Sequence, residues 1–130
     1  MHPYYHSLSS VKKWGGVVED YLPIHNFFDS SKELIADFRH RALYHHAAGI
    51  FLVEKIFGTT ITITGGKVIP TRFIGEQHVK EDLGRIPSVS DWFRCIRPER
   101  WMGGQRVMGT GELGGIQGVG ERTLEEELAI

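Results

Sequence analysis

A chain of 130 residues with 41% hydrophobic content can build one modest core, which excludes a disordered polypeptide and argues for a single folded domain. Its 15 Lys and Arg against 16 Asp and Glu leave a formal charge of −1 with no basic stripe, so nucleic-acid binding is not favoured. Cys95 is alone, which excludes an internal disulfide and a cysteine zinc cage, and the longest uncharged apolar run, Ala47 to Val53, is far too short to span a membrane.

The first element is expected over His2 to Trp14, with Pro3 suited to the first helical position and Gly15-Gly16 ending it. Its apolar face is Tyr4, Leu8, Val11 and Trp14. His2 and His6 fall one turn apart on the opposite side, where they form either a solvated pair or an i, i+4 metal grip. The next helix is expected over Glu19 to Ala36, with Asp20 as cap, Pro23 in the first turn and Ile24, Phe27, Phe28, Ser31, Leu34 and Ile35 facing inward. His25, Asp29 and Lys32 line its polar flank and read as a surface group.

Asp37 to Gly58 is expected to be the central helix, about five turns long, with Asp37 as N-cap and Gly58 just beyond its end. Leu43, Ala47, Ile50, Val53 and Phe57 gather on one face. His46 and Glu54 intrude on that apolar side, while His45 points roughly the opposite way. The period then changes: the β-branched run Thr59 to Thr64, Gly65-Gly66 and Lys67 to Ile69 read as a short hairpin.

Arg72 to Leu83 is expected to be a further helix, with Ile74, Val79 and Leu83 inward and Glu76, Gln77, Lys80 and Glu81 outward. His78 and Asp82 fall inside its apolar arc one turn apart, so the carboxylate can orient the imidazole, and Gly75 leaves room on the same side. Such a pair is either a satisfied core contact or part of a functional site. Ser88-Val89-Ser90-Asp91 starts a last short helix with Val89, Trp92, Phe93 and Ile96 buried, and Trp101 is expected to close the core. Beyond Met102 the chain is glycine-rich and reads as a flexible tail, ending in a possible helical turn over Thr123 to Leu128. The fold expected is therefore mostly α: a compact bundle of four to five helices with one short β-hairpin over residues 1–102, followed by a tail over 103–130.

The stretches MHPYYHSLSSVKKWGG, EDYLPIHNFFDSSK, HRALYHHAAGIF, GEQHVKEDLGRIPS and DWFRCIRPERWM, in that order, resemble a family of small uncharacterised proteins of bacteria and their phages that is known only as a domain of unknown function. The resemblance covers Met1 to about Met102. It carries no catalytic assignment, but it implies that the glycine-rich tail is an addition and that the chain has a phage or prophage origin.

No phosphate-cradling loop, nucleophile elbow or dinucleotide fingerprint occurs. The order His45-His46 then Asp82 imitates a helical phosphohydrolase of the HD type, although the middle dyad here is His-His. Convergence of His46, Glu54, His78 and Asp82 from two helices leads to one expectation, a metal-dependent hydrolase of the phosphoester class. In it His46, His78 and Asp82 ligate zinc, manganese or iron, Glu54, His78 and Asp82 carry the catalysis, and Asp82 otherwise orients His78. The other expectation is a non-catalytic binding protein, such as a phage-borne inhibitor that engages a host protein or sequesters a small-molecule ligand. The N-terminal MHPYYHSLSS lacks the apolar core of a signal peptide, so a cytoplasmic location is expected, with oligomeric state left open.

Overall fold

The computed structural model of the chain describes residues 1–103, and the expectations for residues 104–130 lie outside the described part. The described elements are α1 (Pro3–Trp14), α2 (Val18–Asp29), 3-10 turns at Ser30–Glu33 and Phe38–His40, α3 (Arg41–Tyr44), α4 (Ala47–Phe57), β1 (Thr60–Thr62), β2 (Val68–Pro70), α5 (Thr71–Leu83) and α6 (Val89–Phe93). Met1–Phe93 forms one compact unit. A second unit begins at Arg94 and contains a 3-10 turn at Arg100–Met102. Trp101, expected to close the core, is instead 82% exposed, and Phe93 and Ile96 are exposed as well.

Local chemistry explains the boundaries. Pro3 occupies the first turn of α1, and His2 Nδ1 accepts the Tyr4 N–H at 3.1 Å as an N-cap. In α2 the Asp20 carboxylate accepts the Val17 N–H at 2.8 Å and also the Thr64 N–H at 3.0 Å, so one side chain both opens the helix and ties down the hairpin. The helix stops at Asp29 rather than running to Ala36, because Ser30 Oγ donates to Phe27 O at 2.7 Å and the chain tightens into a 3-10 turn.

The expected central helix is broken. His45 leaves helical geometry at φ −82°, ψ 66°, and His46 is fully extended and caps α4, its Nδ1 accepting the Gly49 N–H at 3.0 Å. The Ala47 N–H is taken by Pro87 O at 2.9 Å. Gly49 is required here, since a Cβ at that position would come within 1.8 Å of Tyr44 O. Gly58 ends α4 as expected.

The two strands pair antiparallel with Thr60 opposite Pro70, Ile61 opposite Ile69 and Thr62 opposite Val68, and Gly65 and Gly66 supply the positive φ of the turn between them. The core joins Tyr21, Ile24 and Phe28 of α2 to Ile50 and Val53 of α4, Ile63 and Ile69 of the hairpin, and Ile74 and Val79 of α5. The room left at Gly75 is filled by this core, because a Cβ there would meet Phe28 Cζ at 3.2 Å and Ile50 Cγ2 at 3.3 Å.

The first helix reverses its expected orientation. It buries Pro3, His6, Ser7 and Ser10 while Tyr4, Tyr5 and Leu8 stay exposed. Gln77, expected outside on α5, is also buried. These side chains meet each other, so a polar cluster lies under α1 where an apolar seam was expected.

Candidate metal centre

Four imidazoles with no solvent exposure, those of His6, His25, His45 and His78, are gathered with the carboxylates of Asp29 and Asp82 between α1, α2, the α3–α4 junction and α5. Each element supplies its residues by spacing. His25 and Asp29 are one turn apart on α2, His78 and Asp82 repeat the same i, i+4 step on α5, and the break that makes His46 a cap swings His45 inward.

Asp29, His45, His78 and Asp82 each offer one ligand atom, and the four atoms lie within 4.8 Å of one another. His45 Nε2 is 2.9 Å from Asp82 Oδ2 and 3.7 Å from Asp29 Oδ1. His78 Nε2 is 3.3 Å from Asp82 Oδ2 and 3.4 Å from Asp29 Oδ1. A tetrahedral zinc ion with donors at 2.0–2.1 Å requires donor separations of about 3.3 Å, and these separations bracket that value. His78 Nε2 nevertheless makes no hydrogen bond to either carboxylate, although it is buried. A buried nitrogen between two carboxylates stands where either a shared proton or a metal ion would sit.

A second grouping, His6, His25 and His78, also brings ring nitrogens together. Its nitrogens are otherwise engaged: His25 Nδ1 and His78 Nδ1 share a 2.9 Å hydrogen bond, and His6 Nδ1 lies 2.8 Å from Glu81 Oε1. The other His6 nitrogen, Nε2, is 3.2 Å from Asp82 Oδ1 without hydrogen-bond geometry. Glu81 is held in turn by Ser9 Oγ and Gln77 Nε2.

Electrostatics polarise the cluster. Burial would raise the Asp82 carboxyl, but the imidazoles of His45, His6 and His78 around it hold it far below its usual range. Asp29 is likewise lowered against its burial by His78, Lys32 and His45, and Glu81 by Ser9, Gln77 and His6. Burial pushes the His25 imidazole down to about 2, helped by the neighbouring His78 and His6, and burial also lowers His45. His6 moves the other way, since the Asp82 and Glu81 carboxylates overcome the effect of its burial. Asp82 meets the N-terminal ammonium of Met1 at 3.3 Å and Arg41 at 3.9 Å, and Asp29 meets Lys32 at 3.4 Å, all three cations reaching in from partly exposed positions.

Of the residues expected to form a site, His78 and Asp82 stand in this cluster, whereas His46 and Glu54 stand outside both groupings. Both ring nitrogens of His46 are used on its own loop, Nδ1 by the Gly49 N–H and Nε2 with Leu43 O at 3.0 Å, which leaves none for a metal. Glu54 is on α4, half-buried, with its carbonyl accepting the Gly58 N–H. The structure turns His45, His25, Asp29 and His6 inward against expectation; the repeated His-x-x-x-Asp step on α2 and α5 is a sequence signal for His25 and Asp29, and no such pattern marks His45 or His6.

No helix among the described residues is long and apolar enough to cross a membrane. No curated protein and no solved structure matches the chain. A domain of unknown function, DUF6915, matches residues 1–102, and the chain belongs to that family.

Proposed function

We propose that this chain holds one divalent transition-metal ion between Asp29, His45, His78 and Asp82 and is a hydrolase of the phosphoester class. The observation that carries the metal reading is the buried convergence of Asp29, His45, His78 and Asp82, whose four ligand atoms lie within 4.8 Å of one another. Imidazole with carboxylate and no thiolate is the donor chemistry of catalytic zinc, manganese and iron sites, whereas structural zinc sites favour cysteine. Such an ion supplies Lewis acidity toward a phosphoryl oxygen. The residues of the chain would hold it, keep Asp29 and Asp82 ionised, and exclude bulk water, with Asp82 bracing His45 and His78 together.

A second reading has its own support. All four ligand side chains are 7% exposed or less, and four protein ligands close a tetrahedron, so the ion would staple the fold of a non-catalytic binding protein. A phage-borne inhibitor would be one such protein. Metal analysis of protein purified without a histidine tag, followed by assay with p-nitrophenyl phosphate and its diester, separates the cases. About one ion per chain with chelator-sensitive hydrolysis supports the hydrolase. A full complement of metal with no turnover favours the staple, and metal-free protein that ignores added zinc, manganese and iron removes both.

A further inference from the structure

We infer that His25 is a positioning residue whose bare Nδ1 accepts the Nδ1 proton of His78, so that His78 is left with Nε2 as its ligand atom; this rests on the metal reading above. The inference follows from a hydrogen-bond chain that permits one direction.

Its fixed end is Gln77. One side of the amide lies 2.9 Å from His6 O and 2.9 Å from Glu81 Oε1, both acceptors, so that side is the NH2 group and the other is the carbonyl. Ser10 Oγ is 2.6 Å from this carbonyl oxygen, and two oxygens at that distance need a proton between them. Ser10 has a single hydroxyl proton, and its two oxygen partners, Gln77 Oε1 at 2.6 Å and His6 O at 3.1 Å, are both acceptors that claim it. His25 Nε2, 2.9 Å from the same Ser10 oxygen, must therefore be the donor. His25 is fully buried with Ser10 and His78 as its hydrogen-bond partners and no carboxylate bonded to it, so the ring carries one proton, and with that proton on Nε2 its Nδ1 is an acceptor. The 2.9 Å contact between the two Nδ1 atoms then requires the proton to belong to His78.

The consequence reaches the centre. With its Nδ1 proton given to His25, His78 has Nε2 as the one ring nitrogen left to face Asp29 Oδ1 at 3.4 Å and Asp82 Oδ2 at 3.3 Å. Histidines that bind metals commonly donate their other N–H to a fixed acceptor, and losing that acceptor costs 10- to 100-fold in affinity. Here the acceptor is another imidazole, aligned through Ser10 on α1 and Gln77 on α5. Docking of α1 thereby controls how well α5 presents its ligand.

Two measurements test this. In 15N-histidine spectra of the wild-type protein, with or without zinc, His25 should show a bare Nδ1 and a protonated Nε2, and His78 a protonated Nδ1. A proton on His25 Nδ1 would overturn the inference even in a protein that binds no metal. By chelator competition, His25→Phe should bind zinc about 10- to 100-fold more weakly than wild type, while His25→Asn, which keeps an acceptor near the Nδ1 position, should stay within a few-fold. Equal affinities for Phe and Asn variants would defeat the positioning role while leaving the metal centre standing. Failure of the wild-type protein to bind zinc would defeat the centre instead.

Discussion

At the residue scale the informative contrast is between two adjacent histidines with different work. His45 is fully buried with Nε2 at the Asp82 carboxylate, whereas His46 caps α4 with one nitrogen and meets Leu43 O with the other. His46→Ala should therefore cost about 1 kcal/mol, the usual loss for a helix cap, and leave bound metal unchanged. His45→Ala should strip the metal. Metal analysis of the two variants beside wild type reads this directly, and loss of metal from the His46 variant alone would reverse the assignment. From sequence the pair was not separable: a continuous helical wheel puts His46 inside and His45 outside, and the break between α3 and α4 turns His45 into the cluster while His46 is buried as a cap. His78 and Asp82 were legible because both sit well within one uninterrupted helix, where spacing alone fixes their direction.

The buried imidazoles also set a pH dependence. Unfolded His25 takes a proton near pH 6.5, while in the fold burial holds it down to about 2, so its stabilising contribution is complete above about 6.5 and lost as pH falls from there. His45, also lowered by burial, acts in the same direction. His6 is raised and acts oppositely, contributing below its unfolded value and losing that contribution as pH rises through its folded one. Asp29, Asp82 and Glu81 are lowered, so their contributions fade only in the carboxylate range below. The groups facing His25 are His78, His6, Asp29 and Asp82. Metal-free protein should thus lose stability between pH 6.5 and 5, at no more than about 1.4 kcal/mol per pH unit for each proton taken up. A urea midpoint that stays level over that window would contradict it, and His25→Asn should flatten the slope.

At the scale of elements, α1 shows how an amphipathic pattern misleads. Tyr4, Leu8, Val11 and Trp14 make the obvious apolar face, yet only Val11 and Trp14 at its C-terminal end pack on the core, and the polar face with His6, Ser7 and Ser10 is the one buried. A helix buries whichever face its neighbours complement, and α2 and α5 offer His25, Gln77, His78 and Glu81. That information is spread over distant parts of the chain, so no local window contains it. The α3–α4 junction was hidden for a similar reason, since its tight approach depends on Gly49 lying against Tyr44 O and on Pro87 O accepting from Ala47. Gly49→Ala, which would merely gain helix propensity in a continuous helix, should here cost about 3 kcal/mol or more. A thermal melt at or above the wild-type value would argue for the unbroken helix after all.

For the whole molecule, the four residues that could hold an ion come from three stretches that the hydrophobic core joins only in part: the end of α2, the α3–α4 junction and α5. The hairpin and the α2–α4–α5 core were readable because each rests on apolar periodicity, which survives in single segments. The cluster that locks α1 onto them rests on charge and hydrogen bonding across many residues of separation. An ion that binds only the folded chain must stabilise all of these stretches at once, by RT ln(1 + [L]/Kd), which is about 2.7 kcal/mol at a hundredfold excess over Kd. For a unit of this size that is a rise of about 10–20 °C in Tm. Chelator-treated protein should regain the increment on titration with zinc, in proportion to the logarithm of free metal. His78→Ala should start lower, having removed one of the imidazoles beside Asp82 and Asp29, and show no increment. His46→Ala should also start lower yet keep the full increment, because its loss is confined to the α4 cap. A wild-type Tm that ignores zinc, with the His78 variant merely less stable, would mark the cluster as a hydrogen-bonded core without an ion.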